Sequence, residues 1–230
     1  MRILAIGDIH GCLRAFDALL SEVRPQRDDL VVTLGDYVDR GFESAAVLDR
    51  LIDLQGRCRL VALKGNHDIM MYEARTDPEV FRDWFHCGGR ETLQSYDADP
   101  HWDLFADAIP LRHWRFLEET CVPYYEIDTH FFVHANAYPD MPLAEQPDSM
   151  LYWEKLDDFE QRRHESGKTM ICGHTSQRSG RPLALEHAVC IDTWVYGDGW
   201  LTCLDVKKDV YWQANERGET RKGLLHVRDR

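Results

Sequence analysis

The sequence predicts an α/β protein with parallel strands, and three observations carry that prediction. Short continuous apolar runs at Ile3–Ile6, Leu30–Leu34 and Leu60–Leu63 read as buried strands. Between them, Leu13, Phe16, Leu19, Leu20 and Val23, and then Val47, Leu48, Leu51, Ile52 and Leu54, recur at helical spacing. A β-α-β-α-β order makes the strands parallel with right-handed crossovers.

Each element has its punctuation. The first strand ends at Gly7, and Pro25 follows the first helix. The second helix closes near Gly56, and the third strand ends at Lys64-Gly65. Residues 69–119 change character: Val80, Trp84, Phe85, Leu104, Phe105 and Ala108 suggest several short helices beside the sheet, with their aromatics packed as core. Strands then dominate. Val122–Ile127 and His130–His134 flank Asp128-Thr129 as a hairpin. Met170–Cys172 precedes Gly173-His174-Thr175, while 188–192, 201–206 and 210–213 read as a terminal antiparallel set. We expect one domain over 1–213 and a loose polar tail over 214–230.

Bulk properties narrow the function. A net charge of −13 over 230 residues gives no electrostatic reason to bind nucleic acid or an anionic membrane. Seven cysteines, an odd number with no C-x-x-C pair, argue against a disulfide framework or zinc knuckle and for buried thiols in a reducing compartment. No apolar stretch approaches the roughly 20 residues of a membrane-spanning helix, and the N-terminus lacks a signal-peptide core. A cytoplasmic enzyme is the expectation.

Chemistry-bearing residues fall at strand ends. Gly7-Asp8-Ile9-His10-Gly11 follows the first strand, Gly35-Asp36-Tyr37-Val38-Asp39-Arg40-Gly41 the second, and Gly65-Asn66-His67-Asp68 the third. Loops converge there in open α/β sheets. Asp8, His10, Asp36, Asn66, His134 and His174 form an oxygen and imidazole set suited to Mn²⁺, Fe, Zn²⁺ or Mg²⁺. Six ligands exceed one tetrahedral site and suit two ions sharing a carboxylate, with Asp36 the natural bridge. Taken singly, Asp8 and Asp36 also read as helix N-caps, His134 as a core histidine, His174 as a turn residue and Arg40 as a surface ion pair. Histidines 86, 101, 113, 130, 164, 187 and 226 match no motif and read as structural or exposed.

These motifs, with Val133-His134 and Gly173-His174-Thr175, resemble in order the phosphoprotein phosphatase family of metallophosphoesterases; Ile191-Asp192-Thr193 and Leu201-Thr202 resemble a late motif of its short bacterial and phage members. The resemblance runs from residue 7 to 175. It implies the calcineurin-like fold, a central β-sandwich flanked by helices in four α/β/β/α layers. It also implies two divalent metal ions, with manganese the leading candidate. Asp8, His10 and Asp36 would hold the first, and Asp36, Asn66, His134 and His174 the second. A hydroxide bridging the metals would attack in line, His67 would act as general acid held by Asp39, and Arg40 would clamp the phosphate.

Elementary chemistry agrees with these roles. An alkoxide leaving group needs a proton donor, and a neighbouring carboxylate favours and orients a charged imidazole. Two departures stand out. Lys155 occupies the place of a second phosphate-binding arginine, keeping the charge without the bidentate fork, so that Arg162 or Arg163 would substitute from nearby. Trp194 stands where a glycine is common.

The leading reading is hydrolysis of phosphomonoesters, above all phosphoserine and phosphothreonine in proteins, with a small phosphoester as the other substrate class. A diadenosine tetraphosphatase-type pyrophosphohydrolase is the second reading. Asp39 favours the first, because members with phosphate leaving groups tend to lack an acid there. A phosphoprotein-binding pseudoenzyme is the third.

Overall fold

The computed structural model describes residues 1–156 and 162–227. The anticipated opening is present as β1 (Ile3–Ile6), α1 (Leu13–Val23), β2 (Leu30–Thr33), α2 (Ser44–Gln55) and β3 (Arg59–Ala62). β1 pairs parallel with β2, and β2 with β3. Five short α-helices follow: α3 (Asn66–Glu73), α4 (Pro78–Trp84), α5 (Arg90–Ser95), α6 (Phe105–Ala108) and α7 (Leu111–Arg115). The chain continues through β4 (Tyr124–Glu126), β5 (His130–Val133), α8 (Asp148–Tyr152), β6 (Thr169–Cys172), β7 (Leu183–Ala184) and β8 (Ala188–Cys190). It closes with β9 (Asp192–Thr193), β10 (Trp200–Asp205), β11 (Val210–Ala214) and β12 (Thr220–Leu224).

The strands form two sheets. One runs β12-β11-β10-β1-β2-β3 with β9 beside β10; the other runs β4-β5-β6-β8-β7. Ile3, Ala5, Leu30 and Val32 of the first sheet pack on Phe132, Ile171 and Val189 of the second. Alternation along β1 and β2 sends Leu4, Ile6 and Val31 to the opposite face, against Phe16, Leu19 and Leu48 of α1 and α2. Phe131, Val133 and Met170 likewise cover the outer face of the second sheet with Leu143, Leu151 and Tyr152. Because both faces of each central strand are buried, those strands read as unbroken apolar runs. The result is the four-layer α/β/β/α sandwich.

Two expectations are corrected. The stretch 188–192 does not join a terminal antiparallel set: β8 pairs parallel with β6 in the second sheet, and only β9 turns back onto β10. An apolar run fixes a strand but not its partner. The expected loose tail over 214–230 contains β12, paired with β11 from Val210↔Leu224 to Ala214↔Thr220. Thr220-Arg221-Lys222-Gly223 carries no apolar alternation. Main-chain pairing holds it, together with Lys222 over the Trp212 ring and Arg221 over Trp200, 4.1 Å from its centroid. The sheet thus extends past residue 213. Among the described residues, no helix is long and apolar enough to cross a membrane.

Candidate active site

The C-terminal ends of the parallel strands in both sheets converge on one pocket of about 300 Å³, lined in part by His10, Asp36, Arg40, Asn66, His67 and His174. The loops after β1 and β2 are laced together: Ile9 and His10 donate their backbone N–H groups to Asp36 O at 3.0 and 2.8 Å, and Gly41 donates to His10 O at 3.0 Å. Gly173 N donates to His134 O at 2.8 Å, joining the corresponding loops of the second sheet. The backbone is strained where it turns into the pocket. His10, Asp36, Asp39, Arg40 and His174 all have positive φ, between 46° and 74°. Such conformations cost of order 1–3 kcal/mol each and persist where surrounding structure over-determines them.

Asp8 and Asp36 do not cap helices. The residues before α1 and α2 are Cys12 and Glu43, and neither cap uses a side chain. Both carboxylates are buried instead; Asp36 lines the pocket, whereas Asp8 lies behind it and accepts from the His174 backbone N–H at 3.0 and 3.2 Å. His134 is fully buried but faces the same cluster, with Nε2 3.5 Å from Asp36 Oδ1; His10 Nε2 lies 3.4 Å from Asp36 Oδ2.

Backbone carbonyls fix how the imidazoles face. His10 Nδ1–H donates to Val38 O at 2.9 Å, His134 Nδ1–H to Leu34 O at 2.7 Å, and His174 Nε2–H to Trp153 O at 3.0 Å. Each ring therefore turns its lone pair inward. Two of those lone pairs, on His134 Nε2 and His174 Nδ1, face the carbonyl oxygen of Asn66 at 3.0 Å each. Three acceptors aimed at one another need a cation between them, so the residues present fit a metal centre. Asp36 belongs to both candidate clusters, one with His10 and His67 and one with His134 and His174.

Charge follows the same logic. Burial pushes Asp36 up, but His134, His67, His10 and His174 outweigh it and hold the carboxylate well below its ordinary range. Burial, helped by His134, lowers His174 to about 4, leaving it neutral near pH 7. Burial, with Asp192 and Asp36 adding to it, raises Asp8 well above its ordinary value. Concentrated buried acid of this kind is relieved by bound cations.

A second constellation lies beside the first. His67 Nδ1 donates to Asp39 Oδ2 at 2.6 Å. Burial lowers the imidazole's pKa, but Asp36 and Asp39 outweigh it and the net shift is upward. Asp39 is held in turn by Trp84 Nε1–H, 2.9 and 3.0 Å from its two oxygens, and by the Thr92 hydroxyl at 2.7 Å. Between α4 and α5 a π-helical turn, Phe85–Gly89, brings Gly88 O to the Arg40 N–H at 3.2 Å. Gly88 has φ 122°, and a Cβ there would lie 2.8 Å from Arg40 N, so the approach requires glycine. Arg40 Nη2 donates to His67 Nε2 at 2.9 Å, and its guanidinium lies 4.3 Å from the Tyr196 ring centroid.

The sequence model of the calcineurin-like phosphoesterases matches residues 1–199. This chain belongs to that family. Calcineurin-like phosphoesterases use a dinuclear divalent metal centre, in keeping with the two clusters that share Asp36. The serine/threonine-protein phosphatase 1 of Salmonella typhimurium is 30% identical over 87% of this chain and 89% of its own length. A symmetrical bis(5'-nucleosyl)-tetraphosphatase of an Acidovorax strain is 47% identical over 76 residues, and that match spans only 26% of the relative. The cold-active protein-tyrosine phosphatase of a psychrophilic Shewanella shares the fold at a TM-score of 0.64, 14% identity, and coverage of 96% of this chain and 80% of that one.

The rim of this phosphoesterase pocket differs from expectation. Lys155 lines it, but Arg162 does not. Arg162 pairs with Asp140 at 2.7 Å on the open surface, because that carboxylate is the partner within reach of its side chain. Its candidacy as a substrate-binding residue is corrected accordingly. Arg178 and Tyr196 line the pocket instead, and no motif marked them. Asp68, quoted in the sequence only as part of a motif, accepts from the backbone N–H groups of Gly65, Asp36 and Tyr37 at 2.8–3.0 Å and ties two loops together. Its place at the third position of α3 was the available signal.

Proposed function

We propose that the protein is a metal-dependent phosphomonoesterase, and that its substrates are phosphoserine and phosphothreonine in proteins. The observation that carries this reading is the buried Asp39–His67 pair, anchored by Trp84 and Thr92. A phosphate or activated aryl leaving group needs little protonation, whereas an alkoxide needs a positioned acid. The likeness to a serine/threonine-protein phosphatase, over 87% of this chain and 89% of that protein, supports the same reading.

Asp8, His10 and Asp36 would hold one divalent ion, and Asp36, Asn66, His134 and His174 the other; Mn²⁺ is the proposed metal. When bound, the ions supply Lewis-acid polarisation of the phosphoryl oxygens and a nucleophile at neutral pH. The protein's own groups do the rest. Arg40 presents a fork of N–H donors that matches phosphate oxygens. In the resting geometry that fork donates to His67 Nε2. A substrate phosphate that draws Arg40 away leaves Nε2 able to carry the proton that the leaving oxygen takes. Asp39 keeps the opposite nitrogen protonated and the ring aligned, and it stabilises the cation before transfer. Lys155 adds charge at the pocket wall. The reaction is proposed for the cytoplasm.

Hydrolysis of dinucleoside polyphosphates is the second reading, favoured by the 47% identity shared over 76 residues with the symmetrical tetraphosphatase. One assay separates the two. Mn²⁺-loaded protein is given phosphoserine, phosphothreonine and phosphotyrosine peptides and a dinucleoside tetraphosphate side by side. Preference for the phosphoserine and phosphothreonine peptides, lost in chelator and restored by Mn²⁺, is the expected result. Preference for the dinucleotide would transfer the protein to the second reading, and chelator-resistant turnover would sink both.

A further inference from the structure

We propose that Arg178, held on the indole of Trp194, is the forked cation that grips the substrate phosphate together with Arg40, the role that Lys155 fills only as a point charge. The inference deepens the phosphoesterase reading and rests on it. It joins the two places where the sequence departs from the family pattern, Lys155 and Trp194, in one arrangement.

Arg178 lines the same pocket as Arg40, His67 and His174. Among the described residues it has no carboxylate partner, in contrast to Arg2, Arg50, Arg112 and Arg162, each paired with an aspartate. Its guanidinium carbon instead lies 5.2 Å from the centroid of the Trp194 ring. An arginine stacked on an aromatic face keeps its N–H edge available to a planar or tetrahedral anion.

The loop is built to hold that stack. Trp194 has φ 64°, a left-handed conformation that a bulky side chain adopts only under constraint. The constraint is visible. Trp194 N donates to Asp192 Oδ1 at 2.9 Å, while the Ser176 hydroxyl donates to Asp192 Oδ2 at 2.6 Å. Gln177 N also donates to Asp192 O at 2.8 Å. Asp192 thus ties the segment carrying Arg178 to the segment carrying Trp194. A Cβ on Gly197 would come within 2.5 Å of the indole, so the following turn is shaped around the ring. Glycine at 194 would satisfy the backbone without strain but would remove the platform. An indole kept in a glycine conformation beside a pocket arginine that has no carboxylate partner among the described residues is explained if the indole positions that arginine.

The test measures KM and kcat on an aryl phosphate, together with the dissociation constant of inorganic phosphate by calorimetry, all on Mn²⁺-loaded full-length protein. Arg178→Ala should raise KM and weaken phosphate on the order of tenfold, with a smaller change in kcat. Arg178→Lys should recover part of the loss. Trp194→Gly should melt cooperatively and raise KM in the same direction, and the double variant should be no worse than Arg178→Ala alone, since the two act as one unit. Arg181→Ala, on the same exposed loop but outside the pocket, controls for general surface charge. The proposal is overturned if Arg178→Ala leaves KM and phosphate affinity at wild-type values, or if Arg181→Ala reproduces its effect. Additive losses in the double variant would overturn the role of Trp194. A wild-type protein that binds phosphate but hydrolyses no phosphoester would instead overturn the phosphoesterase reading, with Arg178 still judged by the phosphate titration.

Discussion

The floor of the pocket and its rim are built differently. On the floor His10, Asp36, Asn66 and His67, and behind them Asp8 and His134, are buried, and most turn directly out of a strand end or begin a helix. On the rim, Lys155 and Arg178 are exposed and Tyr196 is half-buried, and all three sit on loops. Floor side chains are fixed by backbone carbonyls and by one another; on the rim, Arg178 lies over the Trp194 ring and Tyr196 lies under the Arg40 guanidinium. The difference separates chemistry from recognition. A buried group whose partners are backbone atoms cannot be moved without moving a strand, while a rim group is set by contacts that a few substitutions rearrange.

That contrast breaks or sharpens under substitution. The largest effect is expected at the floor. His67→Asn should cut turnover of an alkyl phosphate by roughly 10²–10⁴ while costing much less on an activated aryl phosphate. Equal losses on both substrates would remove His67 from the acid's role. Next comes Trp84→Phe, which keeps the packing but deletes the N–H that holds Asp39. Loss of such a supporting contact typically costs about 10–100-fold, and the same bias toward poor leaving groups should accompany it. A uniform loss on both substrates would mean that Trp84 acts only through packing.

A third substitution asks whether stability lies outside both regions. Asp29 is buried and accepts from Arg2 Nε at 3.0 Å, from Arg2 Nη2 at 2.6 Å and from two backbone N–H groups. Burial pushes its carboxyl up, but these donors outweigh burial and bring it down to about 2. A depressed carboxylate stabilises the fold above its unfolded value of about 3.9. That contribution is lost as pH falls from there toward 2. Arg2→Ala should cost about 1.5–3 kcal/mol in denaturant unfolding at neutral pH, less at pH 3, with KM unchanged. A cost that stays level from pH 7 to pH 3 would contradict the linkage.

The smallest effects belong to the rim. Lys155→Ala should raise KM by only about two- to fivefold, because an exposed ammonium is strongly hydrated. A larger effect than that of Arg178→Ala would reverse the order argued for the two cations. Arg162→Ala should stay within about twofold of wild type, since it removes only an exposed ion pair; a clear rise in KM would return Arg162 to the pocket.

The floor was legible because each of its residues lies within a few positions of a strand end, where a short motif and the strand's apolar run mark it together. Asp39 was legible for the same reason, but what holds it was not. Trp84 and Thr92 lie 45 and 53 residues away; Trp84 reads as core, and no motif marks Thr92. The tail was misread because β12 is held by main-chain pairing, which leaves no apolar period to see.

By itself the sequence determined the element order of the parallel half and the strand-end placement of Asp8, His10, Asp36, Asn66, His134 and His174, because local periodicity and strand-end glycines fix those features. Only the tertiary structure decided which sheet receives β8, which residues brace Asp39, and that Arg178 rather than Arg162 reaches the pocket. Those outcomes depend on contacts between segments far apart in the chain, and no local pattern encodes which distant partner a side chain meets.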